Sequence, residues 1–322
     1  MTATTDAQTE MGAPPFEVGA ARLHPGSPEA RLVRLAAYAS VAVAVTLIVS
    51  KLVVWRMSGS VSLLGSLLDS TLDVMASLIS LFAVRHALIP ADREHRFGHG
   101  KAEALAALGQ GIFIGGSAVA LLVQAVQRVI VPQNVPNSVW ALVVMVLSFV
   151  LTIGLVSYQR YVVKRTGSLA VSADSLHYAT DMLINGSIIV GLGAVWALGW
   201  TMVDPLLAIA ISVYLFYSAW KIGRTSVDHL MDREVNDADR KIIRDVVLSH
   251  PQVRAMHDLR TRSAGMRLFI QLHLELDGEL TLWQAHKISE DVERLVCARF
   301  PTAEVLIHED PAGVREARAS FA

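Results

Sequence analysis

Long apolar stretches separated by short polar segments fill the first two thirds of the chain. Six of them are long enough to cross a bilayer as helices, which takes roughly 20 apolar residues. They cover residues 32–54, 61–84, 103–128, 137–160, 170–198 and 203–223. The hydropathy pattern therefore predicts a multi-pass membrane domain of six helices.

In the last third of the chain, apolar and polar residues follow one another at short intervals instead of forming long apolar stretches. Residues 237–250 and 282–300 have the spacing of amphipathic helices, whereas residues 253–263, 266–277 and 303–310 alternate like strands. This order predicts a small α+β domain with helices over one face of a sheet. We therefore expect four parts: an N-terminal arm (1–30), an all-α six-helix membrane domain (31–224), an α+β domain (231–312) and a C-terminal tail (313–322).

Composition and charge support this division. The chain is 53% hydrophobic, and residues 103–222 hold only nine acidic or basic residues, against 29 in residues 231–322. With the N-terminus inside, twelve Lys and Arg flank the helices on the cytoplasmic side and three on the other. This bias predicts that both termini are cytoplasmic. The N-terminal arm does not have the pattern of a signal peptide, and we expect it to be disordered.

The net charge, the cysteine count and the absence of nucleotide-binding motifs exclude several kinds of partner and site. A net charge of −1 gives no indication of nucleic-acid binding, and the single cysteine, Cys297, excludes an internal disulfide framework and a cysteine-based zinc cluster. No Walker motif or G-x-G-x-x-G fingerprint is present, so we expect no nucleotide partner.

Ionisable residues inside two of the predicted membrane helices are the main chemical signal. Asp69 and Asp73 lie four apart on the second span, and His177 and Asp181 repeat that spacing on the fifth. Such residues are costly in a membrane and mark ion pathways, and four N/O ligands suit tetrahedral zinc. The alternative is that each pair is a buried hydrogen-bonded anchor or lies near a helix end in water.

Two further groups of residues have ligand-type side chains. Asp92, His95 and His99 lie in the loop after the second span, where the alternative is a solvated polar loop. The predicted C-terminal domain carries His257, His273, His286, His308 and Asp310. These residues are either surface side chains or the lining of a metal site at a subunit interface.

The chain resembles the cation diffusion facilitator family, and within it the bacterial zinc/ferrous-iron efflux branch. The resemblance runs from about Leu32 to Pro311 and rests on "LLDSTLD", "HRFGHGKAEALAALGQ", "ADSLHYATD", "MDRE", "HDLRTRSAG", "FIQLHLELD", "QAH" and "VLIHEDP". It implies a homodimeric metal/proton antiporter of the inner membrane with a ferredoxin-like cytoplasmic domain.

Residue by residue, the resemblance implies three metal sites and one ion pair. The transport site matches Asp69, Asp73, His177 and Asp181, the loop site matches Asp92, His95 and His99, and the cytoplasmic site matches His257, His273, His286, His308 and Asp310. The ion pair is Lys101 with Asp232, at the junction of membrane and cytoplasm. Glu94 departs from the pattern, because it could compete with Asp92 for the loop metal.

The expected function is export of a divalent metal from the cytoplasm in exchange for protons. Zn²⁺ is the first choice because His177 supplies an imidazole nitrogen, with Fe²⁺, Cd²⁺ and Co²⁺ as further substrates. Zn²⁺ is also the metal expected in the cytoplasmic site. The alternative is a membrane-anchored sensor or scaffold that binds metal without transporting it. We expect no enzymatic activity, since a closed four-ligand site leaves no position for a reacting water.

Overall fold

The structure is a computed structural model that describes residues 27–58, 61–130, 139–198 and 202–314. The predicted N-terminal arm (1–30) lies almost entirely outside these residues, as does most of the tail (313–322). The chain divides near residue 233 into a helical membrane unit and a C-terminal unit.

Six helices form the membrane unit: α1 (Pro28–Ser58), α2 (Val61–Ala87), α3 (Lys101–Ile130), α4 (Val139–Thr166), α5 (Leu169–Leu198) and α6 (Val203–Leu230). Each helix coincides with one predicted span and is longer than it, although residues 137 and 138 of the span predicted at 137–160 lie outside the described residues. The predicted spans were defined by apolar residues and therefore end near charged side chains. A helix, in contrast, can continue beyond the bilayer into water. α6, for example, runs past the predicted end at residue 223 through Arg224 to Leu230.

Within the described residues, α1, α3, α4 and α6 are long and apolar enough to cross a membrane. α2 and α5 are outside that set, and they are the helices that carry the predicted transport ligands. Their 27 and 30 residues correspond to about 40 Å or more at 1.5 Å per residue, which exceeds a hydrocarbon core of about 30 Å. Membrane crossing by these two helices stays a prediction.

The C-terminal unit has the predicted order of elements. It consists of α7 (Asp237–Leu248), β1 (Ala255–Ala264), β2 (Arg267–Leu276), α8 (Leu282–Arg299) and β3 (Ala303–Pro311). β2 is the central strand of the sheet, and it pairs in parallel with β3 so that His273 lies opposite His308 and Glu275 opposite Asp310.

The core of this unit lies between the sheet and the two helices. Alternate residues of β2 (Ile270, Leu272, Leu274 and Leu276) pack with Ile243 and Val247 of α7 and with Ile288, Val292 and Val296 of α8. Because successive side chains of a strand point to opposite faces, His273 and Glu275 are placed on the other face. The period of the apolar residues therefore decides which face carries the ligand-type side chains.

Candidate metal centre

Three of the four predicted transport ligands come together between α2 and α5. The ligand atoms of Asp73, His177 and Asp181 all lie within 4.8 Å of one another. His177 Nε2 is 3.1 Å from Asp73 Oδ1, and the two side chains are 8% and 14% exposed. The fourth, Asp69, lies in α2 one turn before Asp73, but its side chain is outside the described residues.

Polar contacts next to this cluster fix how α5 faces its neighbours. Tyr178 is fully buried, its hydroxyl lies 2.7 Å from the Ser77 hydroxyl of α2, and it donates to the Ser40 carbonyl of α1 at 3.2 Å. Three residues before His177, the Asp174 carboxylate accepts a 2.6 Å hydrogen bond from Gln159 of α4. These bonds restrict the rotation of α5 and so direct His177 towards Asp73.

The cluster borders a cavity of about 390 Å³ whose lining is partly polar and includes Lys51, Gln124 and Asn185. His177 also borders a second cavity of about 570 Å³, which has a mainly apolar lining and extends to His86. Phe113 and Ile114 line both cavities. His177 therefore borders both cavities.

The chemistry of the cluster fits a divalent cation. Two carboxylates and one imidazole provide hard and borderline ligand atoms of the kind that Zn²⁺ and its neighbours bind. A tetrahedral ion with bonds of about 2.1 Å holds its ligand atoms about 3.4 Å apart. Because the ligand atoms lie within 4.8 Å of one another, binding needs a contraction of at most about 1.4 Å, which is within the reach of side-chain rotation.

The loop residues also converge. Asp92 Oδ1 is 3.5 Å from His95 Nδ1, and Asp92 Oδ2 is 3.4 Å from His99 Nε2. The backbone N–H groups of His95 and Glu94 both donate to Asp92 Oδ1, at 2.6 Å and 2.9 Å. The His95 hydrogen bond is the main reason why the pKa of Asp92 lies below its ordinary value. Glu94 thus supports Asp92 through its backbone and is not in the group of converging ligand atoms.

The C-terminal unit holds a third cluster on the face of the sheet away from α7 and α8. Asp310 is its centre: Oδ2 lies 2.8 Å from His273 Nδ1 and 3.4 Å from His257 Nε2, and Oδ1 lies 3.2 Å from His308 Nε2. The Asp310 side chain is 5% exposed, whereas that of His308 is 62% exposed. The structure thus brings four of the five predicted residues together.

His286 is the predicted residue that the structure does not bring to this cluster. Its Nε2 lies 3.5 Å from Glu290 Oε1 one turn along α8, and its side chain is 58% exposed. Because α8 covers the opposite face of the sheet, His286 cannot join Asp310 within one chain. A role at an interface between subunits stays a prediction.

The remaining predicted contact is the ion pair. Lys101 Nζ at the start of α3 lies 2.9 Å from Asp232 Oδ1, and it also donates to the Leu230 carbonyl at the end of α6 at 3.2 Å. Asp232 has a positive φ of 56°, a conformation that Asp tolerates better than most residues. The pair therefore ties the end of α6 to the start of α3.

The two parts of the chain match two family models. Residues 37–231 match the family model described as the cation efflux transmembrane domain. Residues 235–312 match the model of the cation efflux protein cytoplasmic domain. The chain belongs to the cation efflux family.

Relatives of this cation efflux protein are similar over almost their whole length. The cation-efflux pump FieF of Serratia proteamaculans is 48% identical over 285 residues, which cover 88% of this chain and 95% of the relative. FieF of Salmonella arizonae is 47% identical over 284 residues, with 88% and 94% covered. These matches and the family models make the chain a divalent-metal efflux transporter, and they do not favour the sensor or scaffold.

Solved structures are similar to about a quarter of the chain. The zinc form of CzrB is 30% identical, covers 27% of this chain and 99% of its own, and has a TM-score of 0.25. A structure of the MamM C-terminal domain is 28% identical, with 23% and 96% covered and a TM-score of 0.23.

Three polar residues beside the candidate sites were not predicted from the sequence. His86, at the end of α2, packs edge-on against His99 with ring centroids 4.7 Å apart. Glu275 Oε1 lies 3.1 Å from His257 Nδ1, and Asp258 Oδ2 lies 3.9 Å from His273 Nε2. The strand alternation could have indicated Glu275, two residues after His273, whereas nothing local identifies His86.

Proposed function

We propose that this cation efflux protein exports Zn²⁺ from the cytoplasm in exchange for protons, with Fe²⁺, Cd²⁺ and Co²⁺ as further substrates. It works as a homodimer in the cytoplasmic (inner) membrane with both termini inside. The observation that carries the proposal is the cluster of Asp73, His177 and Asp181 between two helices of the membrane unit.

The ligand set supports the choice of metal. An all-carboxylate site would favour harder ions such as Mn²⁺, whereas the His177 imidazole favours Zn²⁺ and similar borderline ions. Asp69 supplies the fourth ligand in this proposal, because the i, i+4 spacing places it on the Asp73 face of α2. Four protein ligands then surround the substrate ion and displace its water.

Charge balance supports protons as the counter-substrate. With Asp69 included, the metal-free site would hold three carboxylates close together in a poorly hydrated place, where like charges are strongly disfavoured. Protons neutralise the empty site, and a metal ion that needs deprotonated ligands releases them as it binds. In the proposed order, cytoplasmic metal displaces protons, the helices change their exposure, and protons from outside displace the metal.

In this proposal the loop cluster and the C-terminal cluster support transport. The loop cluster around Asp92 binds metal on the cytoplasmic side of the membrane, and the cluster around Asp310 senses cytoplasmic metal and tightens the dimer. In a dimer, His286 reaches the cytoplasmic site from an interface between subunits. Zn²⁺ addition should therefore change the distance between the two C-terminal domains, as measured between spin labels, and no change would refute the sensing role.

Flux into proteoliposomes tests the proposal directly. We expect metal uptake by the wild type to be accompanied by proton movement, with Zn²⁺ ahead of Mn²⁺ in a metal panel. Asp181→Ala should abolish both fluxes, while Asp237→Ala, which removes a fully exposed carboxylate from α7, serves as the control. Metal uptake that moves no protons would refute exchange, and undiminished uptake by Asp181→Ala would refute the site.

A further inference from the structure

A cleft of about 460 Å³ lies between α4, α5 and α6, and none of the candidate metal ligands lines it. α4 and α6 each pack against α5, so that α5 residues such as Ser175 and Leu176 line it between the other two helices. It lies near the end of α4 and the start of α5, which the charge bias places on the cytoplasmic side of the membrane.

Three basic side chains line this cleft: Arg160 and Lys164 from α4 and Lys221 from α6. The lining contains no Asp or Glu. Within the described parts of the chain, none of the three has a carboxylate within ion-pairing distance. The cleft therefore concentrates positive charge that no acidic group among the described residues neutralises, which is the electrostatic signature of an anion site.

The rest of the lining is suited to an amphiphile. Ser172, Ser175 and Ser218 contribute hydroxyl groups, which can donate hydrogen bonds to phosphate oxygens. The aliphatic part consists of Val163, Leu169, Leu176, Ala179 and Ile222. A free inorganic anion would leave this apolar surface uncovered, whereas the glycerol and first acyl carbons of a lipid would cover it.

Aromatic residues mark the depth of the cleft in the membrane. Tyr161 on α4 and Trp220 on α6 are next to Arg160 and Lys221 in sequence, and Tyr217 on α6 precedes the lining residue Ser218. These three aromatic residues are exposed, at 49% for Tyr161 and 66% for both Tyr217 and Trp220. Exposed Tyr and Trp collect at the level of the lipid headgroups. The cleft thus lies where a headgroup phosphate and its acyl chains would be available together.

We propose that this cleft binds the headgroup of an anionic phospholipid of the cytoplasmic leaflet. Arg160, Lys164 and Lys221 contact the phosphate, the serine hydroxyls donate to its oxygens, and the aliphatic lining covers the start of the acyl chains. Basic pockets between membrane helices on the cytoplasmic side are suited to such headgroups. The bound lipid would link α4 to α6 across α5, the helix that carries His177, and the proposal does not depend on the transported metal.

Native mass spectrometry of the full chain, purified in neutral detergent, tests the proposal. The protein is titrated with phosphatidylglycerol, with phosphatidylcholine, and with phosphatidylglycerol in a large excess of inorganic phosphate. The test variant is Arg160→Gln/Lys164→Gln/Lys221→Gln. The control, Arg85→Gln/Arg165→Gln/Arg224→Gln, removes the same charge from exposed residues outside the cleft lining.

We expect phosphatidylglycerol to bind the wild type and the control with similar affinity, and phosphatidylcholine to bind neither detectably. Each basic residue near an anionic headgroup contributes about a fivefold gain, so loss of all three should weaken binding about 100-fold. Unchanged binding by the test variant would refute the cleft as the site. Equal binding of phosphatidylcholine would refute charge recognition, and displacement by inorganic phosphate would show a free-anion site instead of a lipid site.

Folding of the variants is checked by thermal melting. Should the triple variant not fold, Lys221→Gln alone keeps the proposal testable, since it should weaken phosphatidylglycerol binding about fivefold. Arg224→Gln, three residues further along α6, is its matched control, and equal affinities of these two single variants would overturn the assignment.

Discussion

Asp310→Asn tests whether one carboxylate organises the C-terminal cluster. Asp310 lies 2.8 Å, 3.4 Å and 3.2 Å from ring nitrogens of His273, His257 and His308, and it is almost fully buried. The substitution keeps the shape of the side chain but removes the charge and one strong ligand atom. Metal binding should therefore fall sharply at this cluster.

The size of the effect follows from the number of ligands. A structural Zn²⁺ site contributes about 10–16 kcal/mol in total, so one ligand of four contributes about 3 kcal/mol. The amide oxygen of Asn retains part of that interaction. The Zn²⁺ dissociation constant of this site should rise about 100-fold, because 1.4 kcal/mol corresponds to about a factor of ten.

Isothermal titration calorimetry on the full chain measures this change. Asp92→Ala and Asp181→Ala are included in every protein compared, so that the loop and transport sites do not mask the C-terminal one. Glu309→Gln is the control, because it removes one charge at the neighbouring position of β3, on the other face of the strand. A dissociation constant within about threefold of that control would refute the central role of Asp310.

Three further predictions concern structure around the sites. Lys101→Ala should lower stability by no more than about 1 kcal/mol, because the pair with Asp232 is over a third exposed; a larger loss in thermal melting would contradict this. Gly98→Ala should weaken metal binding at the loop. The φ of Gly98 is 78°, so a Cβ there introduces strain of about 1–2 kcal/mol next to His99. Gly116→Ala is the control and should leave metal binding unchanged, because a Cβ at that position meets open space. Thr281→Ala removes the capping box of α8 and should cost about 1 kcal/mol, a loss that Thr281→Ser should largely avoid in the same denaturation assay.

The transport cluster was predictable because its signal is local. Residues four apart share a helix face by backbone geometry alone, so that His177 and Asp181 could be placed together without knowing any neighbour. An ionisable pair in an apolar stretch is also rare enough to indicate function. The structure then brings Asp73 to the same place, while the Asp69 side chain remains a prediction.

The C-terminal cluster was predictable in part. Alternation along β3 places His308 and Asp310 on one face. His257 and His273 were candidates because they fall on the other two predicted strands, and His286 because it falls on the helix between them. The central position of Asp310 depends on the pairing of β2 with β3, which joins residues far apart in sequence. The separation of His286 from the cluster depends on which face of the sheet α8 covers, and a residue's type does not determine that.

The division into membrane and C-terminal units, the order of their elements and the four-residue spacing of the candidate metal ligands can all be read from the chain without a structure. These features follow from hydropathy and from the fixed periods of helix and strand. In contrast, the packing of His86 against His99 and the lining of one cleft by Arg160 and Lys221 are visible only in the folded chain. Such contacts depend on how the helices pack and rotate against one another, which is set by many side chains acting together and leaves no periodic trace in the chain.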